Sequence, residues 1–85
     1  MVEDVFLLVR CDAKTERSQK YQACTIVEEK IKKVKGIEKT FFTGNQEADI
    51  TAFAKWHEAD IQKYVQEIKE ITGVKEVEAK VLVPL

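Results

Sequence analysis

The chain has 85 residues, which is enough for one compact domain and too few for two, so residues 1–85 are predicted to form a single unit. Hydrophobic residues make up 45% of the chain and charged residues 34%, a composition typical of globular proteins. The 14 Lys and Arg residues nearly balance the 15 Asp and Glu residues. The resulting net charge of −1 gives no general attraction to nucleic-acid phosphates or to anionic membranes.

The start of the chain carries no signal for secretion or membrane insertion. The apolar run Val5–Val9 is too short for the core of a signal peptide or for a membrane span. The two cysteines, Cys11 and Cys24, lack the Cys-x-x-Cys spacing of zinc sites, and no histidine stands at ligand spacing. We therefore expect a cytoplasmic protein with reduced thiols, no metal and no cofactor. A disulfide between the two cysteines is the alternative.

The first half of the chain predicts a strand, a helix and a second strand. Val5–Val9 is a continuous apolar run, typical of a strand that is covered on both faces. Over Gln19–Lys35 the apolar residues return at helical spacing, which predicts a helix that ends at Gly36. Ile37–Phe42 follows as a second strand. The buried stripe of the helix is predicted to consist of Cys24, Val27, Ile31 and Val34.

The second half of the chain predicts a strand, a helix and a last strand. A turn over residues 43–47 leads to a strand over Asp49–Trp56, and a second helix follows a short polar turn. Gly73 ends that helix, and Val74–Val83 forms the last strand. This order predicts an α+β, ferredoxin-like βαββαβ sandwich, with four antiparallel strands and both helices on one face. The apolar stripe of the second helix is Ile61, Tyr64, Val65, Ile68 and Ile71.

Apolar residues occupy both faces of the predicted sheet, although two helices can cover only one face. If Val5, Leu7 and Val9 face the helices, the residues between them face outward. Each aromatic or leucine side chain contributes roughly 1.5–3 kcal/mol when fully covered, and several together exceed the patch that a monomer usually exposes. We therefore expect a homodimer that packs sheet to sheet. Its predicted interface consists of Phe6, Leu8, Phe42, Phe53 and Leu82.

Short motifs at consistent spacing give most of the chain a family resemblance. Lys35-Gly36-Ile37 follows the first helix, and Thr43-Gly44 precedes Asp49-Ile50. The stretch Ile68-x-x-Ile71-Thr72-Gly73-Val74 leads into the last strand. In these features the chain resembles the effector-binding domain, or RAM domain, of the Lrp/AsnC transcription regulators.

The resemblance implies a stand-alone effector-binding and oligomerisation domain without catalytic residues. It implies dimers that assemble into octamers or decamers, an amino-acid effector at the contacts between dimers, and association with full-length regulators of the same family. Because the chain starts at the first strand, the resemblance also implies that the helix-turn-helix domain and direct binding of nucleic acid are missing. The effector residues that it implies are Thr43, Gly44, Asn45, Asp49 and Thr51.

The turn that carries these residues departs from the family pattern. It is longer than usual, and Ala48 stands where an aromatic residue is typical. A turn glycine such as Gly44 exposes backbone N–H groups that can hold a carboxylate. Asp49 can accept a hydrogen bond from an α-amino group, or it can simply bond backbone amides of the turn. The sequence leaves both roles of Asp49 open.

Two other classes of protein share the predicted order of elements. Small dimeric monooxygenase-like enzymes use Asn, Trp and His, and this chain has Asn45, Trp56 and His57. Adjacent residues of a strand point to opposite faces, which disfavours a site that uses both Trp56 and His57. An ACT-type amino-acid-binding domain would instead pair its sheets side by side. Its ligand would lie near Cys11, Asp12 and Lys14.

Overall fold

The computed structural model of the chain describes residues 1–12, 17–43 and 48–84, and in the first helix the side chains from Cys24 onward. Within these residues the strands and helices follow one another in the predicted order. They are β1 (Val2–Cys11), α1 (Arg17–Ile31), β2 (Ile37–Phe42), β3 (Ile50–His57), α2 (Ile61–Lys69) and β4 (Val74–Leu82), with a 3₁₀ turn at Glu58–Asp60. The predicted α+β, ferredoxin-like fold is confirmed.

The strands form one antiparallel sheet in the order β2-β3-β1-β4. β1 lies inside the sheet and pairs with β3 on one side, where Phe6 is opposite Phe53, and with β4 on the other, where Phe6 is opposite Lys80. Directly opposite residues of antiparallel strands share a face of the sheet. The register therefore determines which side chains meet the helices and which point away from them.

Both helices pack on the face of the sheet that carries Val5, Leu7 and Val9, each of which is 0% exposed. Each helix has an apolar stripe, and burying that stripe against the sheet removes it from water. The other strand and helix residues of this core are Cys11, Ile50, Ala52, Ala54, Trp56, Cys24, Val27, Ile31, Ile61, Val65 and Ile68. No helix in the described part of the chain is long and apolar enough to cross a membrane.

Two glycines form the turns that return the chain from the helices to the sheet. Gly36 and Gly73 have φ angles of +87° and +99°, a conformation that glycine adopts without the strain a Cβ would cause. The sequence predicts helices that run up to these glycines, the first over Gln19–Lys35, but α1 covers Arg17–Ile31 and α2 ends at Lys69, and a turn leads from each helix to its glycine. At Gly36 the backbone also runs against Trp56, whose Nε1–H donates to the Lys35 carbonyl oxygen at 2.5 Å.

A bulge near the start of β2 shifts its pairing with β3. Ile37 lies opposite Ala54, whereas the next pair is Lys39 opposite Phe53. From the first pair to the second, β2 advances by two residues while β3 advances by only one, so β2 contains one extra residue. Beyond the bulge, the side chains of β2 alternate in the opposite phase to the one that simple counting from Ile37 gives.

The prediction that Phe42 lies on the face away from the helices is wrong because of this bulge. Phe42 is opposite Ile50, which is fully buried under the helices, so Phe42 points to the helix side. Its neighbour Phe41 is opposite Thr51 and takes the position on the outward face. Phe6, Leu8, Phe53 and Leu82 have the predicted orientation.

The ends of several strands differ from the prediction. β1 runs over Val2–Cys11 rather than Val5–Val9, because the polar residues at its ends also pair with neighbouring strands. β3 covers Ile50–His57, and β4 ends at Leu82. β2 has the predicted bounds.

Candidate functional site

The face of the sheet away from the helices carries a cluster of aromatic and leucine side chains. The rings of Phe6 and Phe53 have centroids 5.2 Å apart, and Phe41 stands edge-on to Phe53 at 6.4 Å. Phe41 is 49% exposed and Leu82 is 43% exposed. None of these side chains belongs to the core beneath the helices. We refer to this cluster as the open face, which consists of Phe6, Leu8, Phe41, Phe53 and Leu82.

A groove of about 360 Å³ crosses the open face. Its floor is aromatic and aliphatic, while carboxylate and ammonium groups stand at its edge, so an apolar group could enter it and polar groups could close over it. The groove is lined by Asp4, Glu38, Lys39, Phe41, Phe53, Ala54 and Leu82.

Charged side chains of β1 and β4 border the open face on its other side. Arg10 lies 3.6 Å from Glu76, and Lys80 lies 3.9 Å from Glu78. All four side chains are more than a third exposed, so these pairs add little stability to the isolated chain. An apolar centre with a charged rim is the usual make-up of a protein–protein interface.

Hydroxyl groups meet where the chain passes from β2 to β3. The Thr51 hydroxyl donates to the Thr43 hydroxyl at 3.4 Å, and the Thr43 hydroxyl donates to the Ala48 carbonyl oxygen at 3.0 Å. The Thr43 N–H donates to the Asp49 carbonyl oxygen at 2.9 Å. These bonds hold the two ends of the β2–β3 turn together and place hydroxyl oxygens, which can accept from a polar ligand, near the open face.

Two of the predicted effector residues, Gly44 and Asn45, lie outside the described residues. Of the remaining three, Thr43 and Thr51 share a hydrogen bond. The carboxylate of Asp49 instead accepts a hydrogen bond from the backbone of β1.

Asp49 is buried and bonds the backbone of β1. Its Oδ2 accepts the N–H of Cys11 at 2.8 Å, its own N–H donates to the Val9 carbonyl oxygen at 2.9 Å, and the residue is 3% exposed. The Asp49 carboxylate thus bonds a backbone amide, and this amide belongs to β1 rather than to the turn. One carboxylate oxygen of Asp49 and the sulfur atoms of Cys11 and Cys24 all lie within 4.8 Å of one another.

Trp56 and His57 do not converge on a common site. Trp56 is 2% exposed and packs on the ring of Tyr64, with centroids 5.2 Å apart, on the helix side of the sheet. His57 is exposed and points to the other face. Trp56 is thus a core residue, and this arrangement gives no support to the monooxygenase-like alternative.

No protein-family model matches the chain, and no curated protein matches it in sequence. Solved structures do match its fold. TTHA0845 from Thermus thermophilus has a TM-score of 0.75 and 18% identity, over 100% of this chain and 96% of that one. E. coli AsnC has a TM-score of 0.75 and 12% identity, over 99% of this chain and 52% of that one.

A third neighbour is a complex of a transcriptional regulator with L-Met, NMB0573 from Neisseria meningitidis. It has a TM-score of 0.76 and 14% identity, over 96% of this chain and 50% of that one. The chain therefore spans about half the length of AsnC and of NMB0573. The neighbours are Lrp/AsnC-family regulators and related proteins, and the resemblance seen in the sequence is confirmed at the level of the fold.

Sequence reasoning misses two features of this surface and its surroundings. Simple counting puts Phe41 on the wrong face, because the bulge in β2 has no clear signature in the sequence. The meeting of Cys11, Cys24 and Asp49 is also missed, because the three residues come from separate elements and have no motif spacing. The helical stripe that contains Cys24 is the one available signal, since it predicts that this thiol faces the sheet.

Proposed function

We propose that this chain is an effector-binding and oligomerisation module of the Lrp/AsnC kind that acts without catalysis of its own. The observation that carries the proposal is the open face, a cluster of aromatic and leucine side chains that the helices leave uncovered in a fold shared with those regulators. The proposal includes a cytoplasmic location and association with full-length regulators of the same kind.

The first part of the proposal is a homodimer that pairs open face to open face. Two copies related by a twofold axis would bring the Phe6–Phe53 pair of each chain into one shared apolar layer, with the Arg10–Glu76 pair at the rim. Such an interface covers partly exposed side chains worth roughly 1.5–3 kcal/mol each when fully buried, which supports a stable pair. Dimers would assemble further into octamers or decamers.

The substitution Phe53→Lys tests the dimer directly. It adds a charge to the centre of the open face, so we expect a monomer where the unmodified chain is a dimer or larger. Ile26→Lys is the matched control, because Ile26 is an exposed apolar residue, 60% exposed, on α1 rather than on the sheet. Sedimentation equilibrium of the three proteins over a range of concentrations gives their masses.

A strictly monomeric unmodified chain at tens of micromolar would contradict this part of the proposal, as would a Phe53→Lys protein that keeps its dimer. A dimer that Phe53→Lys leaves intact would favour side-by-side pairing through sheet edges, the arrangement expected of ACT-type domains. Circular dichroism of Phe53→Lys separates a lost interface from a lost fold.

The second part of the proposal is an amino-acid effector at the β2–β3 turn, near Thr43, Gly44, Asn45 and Thr51. The hydroxyls of Thr43 and Thr51 lie at the end of the open face, where a second dimer could close over them. Asp49, whose carboxylate bonds Cys11, acts in this proposal by holding the turn in position. The NMB0573 structure is a complex with L-Met, which supports an amino acid as the class of ligand.

Thermal melts with each of the twenty amino acids test the effector. A ligand present at about a hundred times its dissociation constant adds about 2.7 kcal/mol of stability, which a small domain registers as a clear rise in Tm. Thr51→Val should remove that rise for the ligand that causes it, whereas Thr25→Val, on the exposed side of α1, should keep it. If none of the twenty raises the Tm, the effector part of the proposal is wrong. The dimer part is unaffected by that result, because Phe53→Lys tests it separately.

A further inference from the structure

Two thiols and a carboxylate meet beside the start of β3, on the helix side of the sheet. Cys11 is at the end of β1, just after a register shift between Arg10 and Cys11; Cys24 is on the buried stripe of α1; and Asp49 directly precedes β3. One ligand atom from each lies within 4.8 Å of the other two. Separate elements of the fold therefore supply three potential metal ligands to a single point.

All three side chains are buried, and the carboxylate is already oriented. Cys11, Cys24 and Asp49 are 4%, 1% and 3% exposed. Asp49 Oδ2 accepts the Cys11 N–H at 2.8 Å, which holds the carboxylate in the cluster. Hydrogen bonds of this kind orient the ligands of metal sites, and the two oxygens of a carboxylate can accept such a bond and bind a metal together. A cation in the cluster would also offset the cost of burying a carboxylate.

The donor set selects the class of metal. Thiolate sulfur favours Zn²⁺ and similar soft or borderline ions over Mg²⁺ and Ca²⁺, which prefer oxygen alone. Two thiolates that each lie about 2.3 Å from one tetrahedral Zn²⁺ are about 3.8 Å apart. The ligand atoms in the structure lie within 4.8 Å of one another, at most about 1 Å wider than this, so small rotations of the side chains would close the site.

A small cavity reaches one member of the cluster, Cys24. Its volume is about 60 Å³, and it is lined by Cys24, Thr25, Glu28, Phe42 and Ile50. One water requires roughly 10–15 Å³ of such space, so a water can enter beside Cys24 and take the fourth position of a tetrahedral ion. Glu28, one helical turn from Cys24, also lines this cavity and is ion-paired to Lys32 at 3.7 Å.

We propose that Cys11, Cys24 and Asp49 bind one Zn²⁺-class ion that links β1, α1 and β3. This departs from the expectation of no metal that the sequence spacing gave. The site is separate from the open face and does not depend on the proposed effector or dimer. Its consequence is structural: metal bound to the folded chain alone raises the stability of the end of the sheet from which the β2–β3 turn leaves.

Cobalt titration of the reduced, metal-free protein under anaerobic conditions tests the site. We expect one equivalent of Co²⁺ per chain, with the thiolate-to-cobalt charge-transfer absorption and the intense visible bands of tetrahedral Co²⁺. Zn²⁺ should displace the cobalt and bleach both signals. Zn²⁺ should also raise the Tm of the unmodified chain.

Three variants separate the ligands from their surroundings. Cys24→Ala keeps the Cys11–Asp49 hydrogen bond and should abolish the charge-transfer absorption or reduce it by at least half. Asp49→Asn should weaken Co²⁺ binding at least ~10-fold. Asp12→Asn is the matched control, because it removes the same charge from an exposed residue beside Cys11 and should bind as the unmodified chain does. Circular dichroism tests whether each variant is folded. If Asp49→Asn does not fold, the Co²⁺ spectrum of Cys24→Ala alone tests the metal site.

Three outcomes would overturn the proposal. One is the weak, octahedral spectrum of Co²⁺ without thiolate ligands. Another is equal affinity in Cys24→Ala and the unmodified chain. The third is the absence of metal uptake by the reduced protein while Cys11 and Cys24 form an intramolecular disulfide in air, which mass spectrometry under denaturing conditions would detect.

Discussion

The two faces of the sheet contrast most sharply along a single strand. In β1, Leu7 is 0% exposed beneath the helices, while its neighbour Leu8 points the other way and is only partly buried by its own chain. The covered face is completed within one molecule, because α1 and α2 together supply the apolar surface that it needs. The open face carries residues of the same type without such a cover.

The two faces also differ in the polar and charged residues that they carry. The covered face is apolar almost throughout, and the carboxylate of its buried Asp49 is hydrogen-bonded to the backbone of β1. The open face has aromatic residues at its centre and exposed ion pairs at its border. One face therefore has the make-up of a protein core and the other that of an interface, and each prediction below tests that distinction.

The largest expected effect is that of Leu7→Ala compared with Leu8→Ala. Leu7→Ala opens a cavity in the core, so we expect a loss of about 2–5 kcal/mol in the free energy of unfolding at every protein concentration. Leu8→Ala should cost less, and its cost should vary with protein concentration because it would weaken the proposed dimer. Urea unfolding followed by circular dichroism at several concentrations measures both. Equal, concentration-independent losses would mean that the two faces are equally buried in one chain.

The next effect concerns the turn that closes the covered face beside Trp56. Gly36→Ala places a methyl group against the indole ring and 2.6 Å from the Lys55 carbonyl oxygen, in addition to a strain of roughly 1–2 kcal/mol from the positive φ. Gly73→Ala has the same kind of strain, but the only described atom beyond its chain neighbours within 4 Å of its new methyl group is a methyl carbon of Val27, at 2.9 Å. We expect Gly36→Ala to lower the Tm more than Gly73→Ala does. The reverse order would show that the contact with Trp56 can relax.

A smaller effect separates two adjacent phenylalanines. Phe41→Asp puts a charge on the open face, so we expect the dissociation constant of the proposed dimer to rise at least ~10-fold, which corresponds to about 1.4 kcal/mol. Phe42→Asp should change that constant less than ~3-fold, because its side chain points to the helix side. Sedimentation measurements on both variants, with circular dichroism as the check of folding, decide between them. If Phe42→Asp is the more damaging to the dimer, simple alternation from Ile37 holds and the bulge is not present in solution.

These two phenylalanines also mark the limit of what the sequence could predict. The order of elements, the bounds of β2 and the buried stripes of both helices follow from hydrophobic periodicity and from the glycines that end the helical segments. The face of Phe41 does not, because one extra residue in β2 reverses the alternation and its cause lies in the pairing with β3. Local pattern predicts an element well, but the register between elements depends on contacts that are distant in the chain.

The same limit applies to the residues of the candidate site. The family resemblance predicts Thr43 and Thr51 together, and a hydrogen bond joins them because antiparallel strands connected by a turn bring such positions close. Cys11, Cys24 and Asp49 have no shared spacing, and only the packing of α1 against the sheet brings them within 4.8 Å. A cluster of this kind is a property of the tertiary fold, so no count of residues along the chain could have found it.

The smallest expected effect is at the rim of the open face, between Arg10 and Glu76. Because the pair is exposed in the single chain, with its atoms 3.6 Å apart, a double-mutant cycle of Arg10→Ala and Glu76→Ala should give a coupling energy below about 1 kcal/mol in the unfolding of a monomeric background such as Phe53→Lys. In the dimer, the same substitutions should change the salt dependence of association more than its affinity, as charges at a wet rim do. A coupling energy clearly above that value in the dimer would mean that pairing removes Arg10 and Glu76 from water. The buried interface would then extend from the aromatic centre across β4, and what we have described as its border would belong to its core.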